Sequence, residues 1–185
     1  MLAPIDVTNI RIETDRLILR PWRKSDLEDL YEYASVEGVG EMAGWNHHKN
    51  IEESKMILDS FVRHKKTFAL ELKENGNVIG SLGMEELDPD PVAGERYGRE
   101  IGYVLSKDYW GRGLMTEAVQ AVIRHCFTVL KFDYLTCGHF VRNQRSYRVI
   151  EKCGFVFFAE TEYRTRYDTV EISRNYILHN PNTVR

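Results

Sequence analysis

Long apolar runs are missing from this chain. None approaches the ~18 consecutive apolar residues of a membrane span, and the first residues lack the apolar stretch of a secretory signal. No membrane partner is expected, and the expected location is cytoplasmic. Cysteine is scarce as well. Cys126, Cys137 and Cys153 sit inside apolar patterns, show no CxxC spacing and leave an odd count for pairing, so they read as reduced core thiols, with metal ligation a minor alternative. Positive charge is not in excess: a net charge of −3 and a pI near 6.1 provide no basic field for nucleic acid. Internal repeats and Pro/Gly/Ser-rich linkers are also absent. At 185 residues, 43% hydrophobic and 29% charged, the chain suits one domain spanning 1–185, with looser ends at 1–10 and 179–185.

What is present is concentrated in one stretch, Arg99 to Ala118. Ile101, Tyr103 and Leu105 alternate with Gly102, Val104 and Ser106, the period of a strand with one apolar face. Beyond Trp110-Gly-Arg-Gly113, residues Leu114, Met115, Ala118, Val119, Val122, Ile123, Cys126, Phe127 and Leu130 fall at helical spacing. A helix therefore opens beside Gly111 and Gly113. The first turn of a helix has backbone N–H groups without intrahelical partners, and the macrodipole adds partial positive charge there. With Gly111 and Gly113 free to adopt φ > 0, the amides of Gly111, Arg112, Gly113 and Leu114 can cradle a phosphate. Two familiar phosphate loops do not fit. Met115 and Thr116 stand where a dinucleotide fingerprint needs its third glycine, and no Gly-Lys-Ser/Thr follows for a P-loop.

The remaining chain reads as alternating elements. Thr14–Pro21 is a strand, Ser25-Asp-Leu-Glu28 a capping box that opens a short helix to Ala34, and Asn50-Ile-Glu-Glu53 the cap of a second helix. Between them, Gly38–His48 carries Met42, Trp45, His47 and His48. The tryptophan can wall a pocket or tuck into the core, and the adjacent histidines lack further ligands at metal spacing. From Thr67 the period becomes two, Asn75-Gly76 signals a tight hairpin, and Val78–Met84 returns. Asp88–Gly98 is a loop, Tyr134–Phe140 a buried strand, and Gln144–Lys152 a helix capped by Asn143 and closed by Gly154. Phe155–Arg166 and Val170–Leu178 form a hairpin turning near Asp168. The expected order is β-α-α-β-β-β-α-β-α-β-β, an α/β fold with a partly antiparallel, partly parallel sheet flanked by helices.

The strand, Trp-Gly-Arg-Gly and Leu-Met-Thr-Glu-Ala resemble the acetyl-CoA-binding segment of the GNAT N-acetyltransferase superfamily. The opening Glu13-Thr-Asp-Arg-Leu-Ile-Leu-Arg-Pro21 and capped helix resemble its RimJ/RimL-like branch, the ribosomal-protein-alanine N-acetyltransferases. The chain departs from the superfamily pattern at two positions: Asp108 replaces a Gln or Arg three residues before the first glycine, and Ile150 replaces the usual tyrosine acid. The resemblance implies acetyl-CoA as co-substrate, no metal, and direct attack by a primary amine. It implies coenzyme contacts from Val104, Leu105, Gly111, Arg112, Gly113, Leu114, Met115, Thr116, Asn143 and Ser146. Main-chain N–H groups near Val104 and Leu105 would polarise the thioester. Glu100 is the candidate base, with Glu85 second, and Ser146 can assist the departing thiolate. A strand-edge Glu also suits simple pairing with an Arg, and Asn143 suits a plain helix cap. The implied acceptor is a protein N-terminal amine such as that of a ribosomal protein, taken by a monomer or homodimer. A small-molecule amine (polyamine, amino acid or aminoglycoside) and a non-catalytic acyl-CoA-binding module remain open alternatives.

Overall fold

The computed structural model describes residues 5–87, 91–92 and 97–183. Parts of the expected leader (1–4), loop (88–90, 93–96) and tail (184–185) lie outside the described residues. In chain order the elements are β1 (Ile12–Glu13), β2 (Leu17–Pro21), α1 (Leu27–Ala34), α2 (Ile51–His64), β3 (Thr67–Leu72), β4 (Val78–Glu85), β5 (Gly98–Leu105), α3 (Leu114–Thr128), β6 (Tyr134–Phe140), α4 (Gln144–Lys152), β7 (Val156–Arg164) and β8 (Val170–His179). Among the described residues the strands form one sheet in the order β1-β2-β3-β4-β5-β6-β8-β7. Among the described strands only β5 and β6 pair in parallel, because α3 crosses over between them while the other neighbours join antiparallel. The mixed α/β architecture is the one read from the sequence, with the two-residue β1 added.

The two faces of the sheet bury different helices. On one, Leu17, Leu19, Phe68, Leu82, Met84 and Ile101 meet the α3 stripe of Leu114, Met115, Ala118, Val119 and Val122 together with Ile150 of α4. On the other, Trp22, Ala69 and Val78 meet Leu30, Tyr33 and Ala34 of α1 and Leu58 of α2. The second cover explains Arg20, which alternation turns away from Leu17 and Leu19 yet which is only 4% exposed. Its guanidinium is held by Asp26 at 2.8 and 2.9 Å and by Glu71, as a buried charge requires.

Several local expectations change. The Ser25 capping box is not used: Asp26 accepts the Arg23 amide at 2.8 Å, and a 3-10 turn over Lys24–Asp26 precedes α1. The carboxylate one residue on was already committed to Arg20, and that tertiary pair decides the cap. At α2 the expected Asn50 cap is present, accepting from the Glu53 amide at 3.0 Å. The Asn75-Gly76 hairpin is longer than a two-residue turn, with residues 73–77 between β3 and β4 and the Gly76 amide donating to the Leu72 carbonyl. Each expected loose end includes an anchored residue. Val7 is 1% exposed and its amide donates to the Lys65 carbonyl, while the buried Asn180 side chain donates to the carbonyls of Phe132 and Phe127. The final hairpin does turn at Asp168, which has φ +59°.

Candidate active site

Strands β5 and β6 pair only from Gly98/Tyr134 to Ile101/Cys137. Beyond that level β5 stays bound to β4 as far as Leu105, and β6 stays bound to β8 as far as Phe140. The two strands diverge because each follows its outer neighbour, and a cavity of about 760 Å³ opens between them. Alternation fixes which main-chain groups face it. Asp133 donates to the Tyr97 carbonyl on the β6 side, and Ser106 donates to the Ile79 carbonyl on the β4 side. The amides of Tyr103 and Leu105 consequently turn to the gap and that of Val104 turns to β4. Of the expected pair, Leu105 offers an amide there and Val104 lines the wall.

The glycine turn lies at one mouth of this cavity. Gly111 and Gly113 have φ of +77° and +76°, and Gly111, Arg112 and Gly113 are exposed. The first backbone bond of α3 runs from the Glu117 amide to the Gly113 carbonyl at 3.1 Å. Among the described residues no carbonyl accepts from the amides of residues 111–116. Leu114 and Met115 bury their side chains in the core, so they can reach an anion only through the main chain. A brace holds the turn in place. Arg16 donates to Glu117 and to the Arg112 carbonyl at 2.9 Å, and Glu117 also accepts from Thr14 at 2.6 Å.

Basic side chains that sequence reasoning missed come from α4. Arg145, Arg148 and Lys152 follow at helical spacing, are exposed, and line the same cavity. The Arg145 guanidinium lies 3.9 Å from the Trp110 ring centroid, bridging the two sides of the mouth. Their spacing was visible in the sequence, but only the fold turns that face of α4 toward the glycine turn.

Farther in, Glu100 is half-buried next to Glu85 in register, on the α1/α2 face of the sheet. Glu85 is paired with Lys66. Among the described residues no cation or donor pairs with Glu100. Its burial, and then the Glu85 charge, raise its pKa. His139, also on the cavity wall, is already committed: Nδ1 donates to the Phe140 carbonyl at 2.8 Å, leaving Nε2 to accept from Tyr176 at 3.2 Å. Burial pushes the thiols of Cys126 up to about 12 and of Cys153 up to about 11, which makes them poor nucleophiles.

The opposite face of the gap carries Asn143 and Ser146. Asn143 caps α4 by accepting from the Ser146 amide at 3.2 Å, and its amide nitrogen also donates to the Met42 carbonyl at 3.3 Å. One N–H remains for a ligand. Met42 and Ala43 line the cavity beside it, held by Arg142, which donates to the Glu41 carbonyl at 2.9 Å. Trp45 packs among the α1/α2 core with its ring 5.1 Å from that of His48 and does not wall the site. His47 contacts Glu41 and His48 contacts Ser54, each at 2.7 Å.

Diverging parallel strands, a turn of free amides and a half-buried carboxylate thus line one cavity. Residues 16–156 match the acetyltransferase (GNAT) domain family, and the chain belongs to it. It is 27% identical over 149 residues to the uncharacterized N-acetyltransferase YoaA of Bacillus subtilis, covering 78% of this chain and 81% of that one. The ribosomal-protein-S5-alanine acetyltransferase of Vibrio fischeri has the same fold, with a TM-score of 0.74 at 19% identity over 96% and 100% of the two chains. So does the microcin C7 self-immunity acetyltransferase MccE, solved with acetyl-CoA and AMP, with a TM-score of 0.74 at 17% identity over 90% and 93%. The protein is an N-acetyltransferase of this family.

Proposed function

We propose that the chain, as one domain over 1–185, transfers an acetyl group from acetyl-CoA to a protein N-terminal amine, such as that of a ribosomal protein, in the manner of the RimJ/RimL-like branch. The observation that carries this reading is the pairing of uncommitted groups at the two ends of one cavity: among the described residues, the amides at 111–116 meet no carbonyl and the half-buried Glu100 meets no cation or donor. The amides of Gly111, Arg112, Gly113, Leu114, Met115 and Thr116 hold the diphosphate, and Arg145, Arg148 and Lys152 meet the remaining phosphate charge. The pantetheine arm completes the unpaired edge of β5, with the Leu105 amide donating to the thioester oxygen as charge develops there. Such a donor is worth ~2.7–4 kcal/mol in the transition state.

An amine attacks only once deprotonated, because an ammonium has no lone pair. Glu100, on the α1/α2 face, takes that proton directly or through a water. Ser146, on the α3/α4 face, donates a hydrogen bond to the sulfur as it leaves. Base and leaving-group donor thus flank the reacting carbon from opposite sides of the sheet. No helix among the described residues is long and apolar enough to cross a membrane, and a cytoplasmic setting accords with three free cysteines.

Release of free thiol from acetyl-CoA, measured across an amine panel, tests the reading. Peptides with ribosomal-protein N-termini are expected to outpace polyamines, amino acids and aminoglycosides. Preference for a small amine overturns the acceptor assignment, and CoA binding without acceptor-dependent turnover overturns the transferase reading in favour of a binding module.

A further inference from the structure

The acetyl-transfer reading leaves Tyr103 without a role, and the inference that follows rests on that reading. Tyr103 lies on β5 on the same face as Ile101 and reaches across the gap to α4. Its hydroxyl stands 2.9 Å from Ser146 Oγ and 3.3 Å from the Ser146 carbonyl. Both residues line the cavity. Ile150, at the position of the usual acid, is 1% exposed in the core, so the leaving sulfur depends on the Ser146 hydroxyl. A hydroxyl has one proton to give. Were Ser146 to spend its proton on Tyr103, none would be left for the sulfur.

We propose that Tyr103 donates to Ser146 Oγ across the shorter contact and so directs the Ser146 proton into the cavity, toward the departing thiolate. Tyr103 is a positioning residue that acts through Ser146. In the step, the amine, its first proton already taken by Glu100, forms the N–C bond; the C–S bond breaks with its electron pair going to sulfur, and the second proton on nitrogen leaves to solvent. The thiolate is stabilised by the Ser146 hydrogen bond and takes its proton from solvent. Burial, ahead of the neighbouring Cys137, raises the Tyr103 pKa well above its ordinary value, so its hydroxyl stays a donor across the working range. Burial also keeps the nearby thiols of Cys137 and Cys153 protonated.

The test titrates the thiol of bound CoA by its thiolate absorbance, with no acceptor present, in the wild type, Y103F, S146A and the double variant. Y103F keeps the ring and its packing. It is expected to raise the bound thiol's pKa by about one unit, tenfold in ionisation constant. S146A raises it at least as much, and the double variant matches S146A. In turnover, Y103F lowers kcat about tenfold while KM for acetyl-CoA moves less than about twofold, the signature of an interaction made in the transition state. An unmoved thiol pKa in a Y103F protein that binds CoA normally overturns the proposal, as do losses that multiply in the double variant. Failure of the wild type to bind CoA refutes the coenzyme assignment itself, a different result.

Discussion

Valine at Gly111 is the sharpest probe of the amide cradle. A Cβ there meets nothing within 4 Å, so the effect of G111V comes from the backbone, which stands at φ +77°. A non-glycine residue in that region costs ~1–2 kcal/mol. The chain either keeps the strained turn with a branched side chain where phosphate must approach, or relaxes φ and swings the Gly111 and Arg112 amides away. Either outcome removes at least one charge-assisted N–H contact, ~1.5–3 kcal/mol, and weakens CoA binding roughly 10- to 150-fold. Calorimetry with CoA measures the loss. Acetylpantetheine, which lacks the diphosphate, is the control, and its kcat/KM should be unchanged. Unaltered CoA affinity in folded G111V, or an equal loss with acetylpantetheine, would refute the cradle.

Other outcomes can be checked in parallel. A general base works only when ionised, and the Glu100 pKa is raised, so with Glu100 as base wild-type kcat/KM is expected to fall as pH drops through that value. E100Q loses this limb of the profile, runs ~10²–10⁴-fold slower near neutrality and keeps its CoA affinity; an intact limb removes Glu100 from the mechanism. R148A should raise KM for acetyl-CoA about 2- to 5-fold at low salt and less at high salt, read from initial rates. D26A strips one partner from buried Arg20 and should cost about 3 kcal/mol in urea denaturation, near the low end for a broken buried pair because Glu71 still faces the guanidinium. A loss of unfolding free energy below about 1 kcal/mol would show the pair to be dispensable.

The order of elements, the opening of α3 beside Gly111 and Gly113, the Asn50 and Asn143 caps and the turn at Asp168 were legible in the residues, because each depends on neighbours within a few positions. The turn of free amides belongs with them: a strand, two glycines at positive φ and an amphipathic helix are consecutive in the chain. Tertiary structure decided the remainder. Whether Glu100 was a lone carboxylate or half of an ion pair depended on Lys66, which lies 34 positions earlier and is spent on Glu85. Val104 and Leu105 could be separated only once the bonds at both ends of β5 fixed its alternation. The Ser25 capping box gave way to a cap at Arg23 because the α1/α2 cover buries Arg20 and Asp26 together as an ion pair. Tyr103 looked like one more apolar-face residue until α4 brought Ser146 to its hydroxyl. Local geometry is set by short-range backbone sterics and hydrogen bonds, which the sequence determines by itself. The pairing of charges and hydroxyls across the gap depends on which distant segments the sheet brings together.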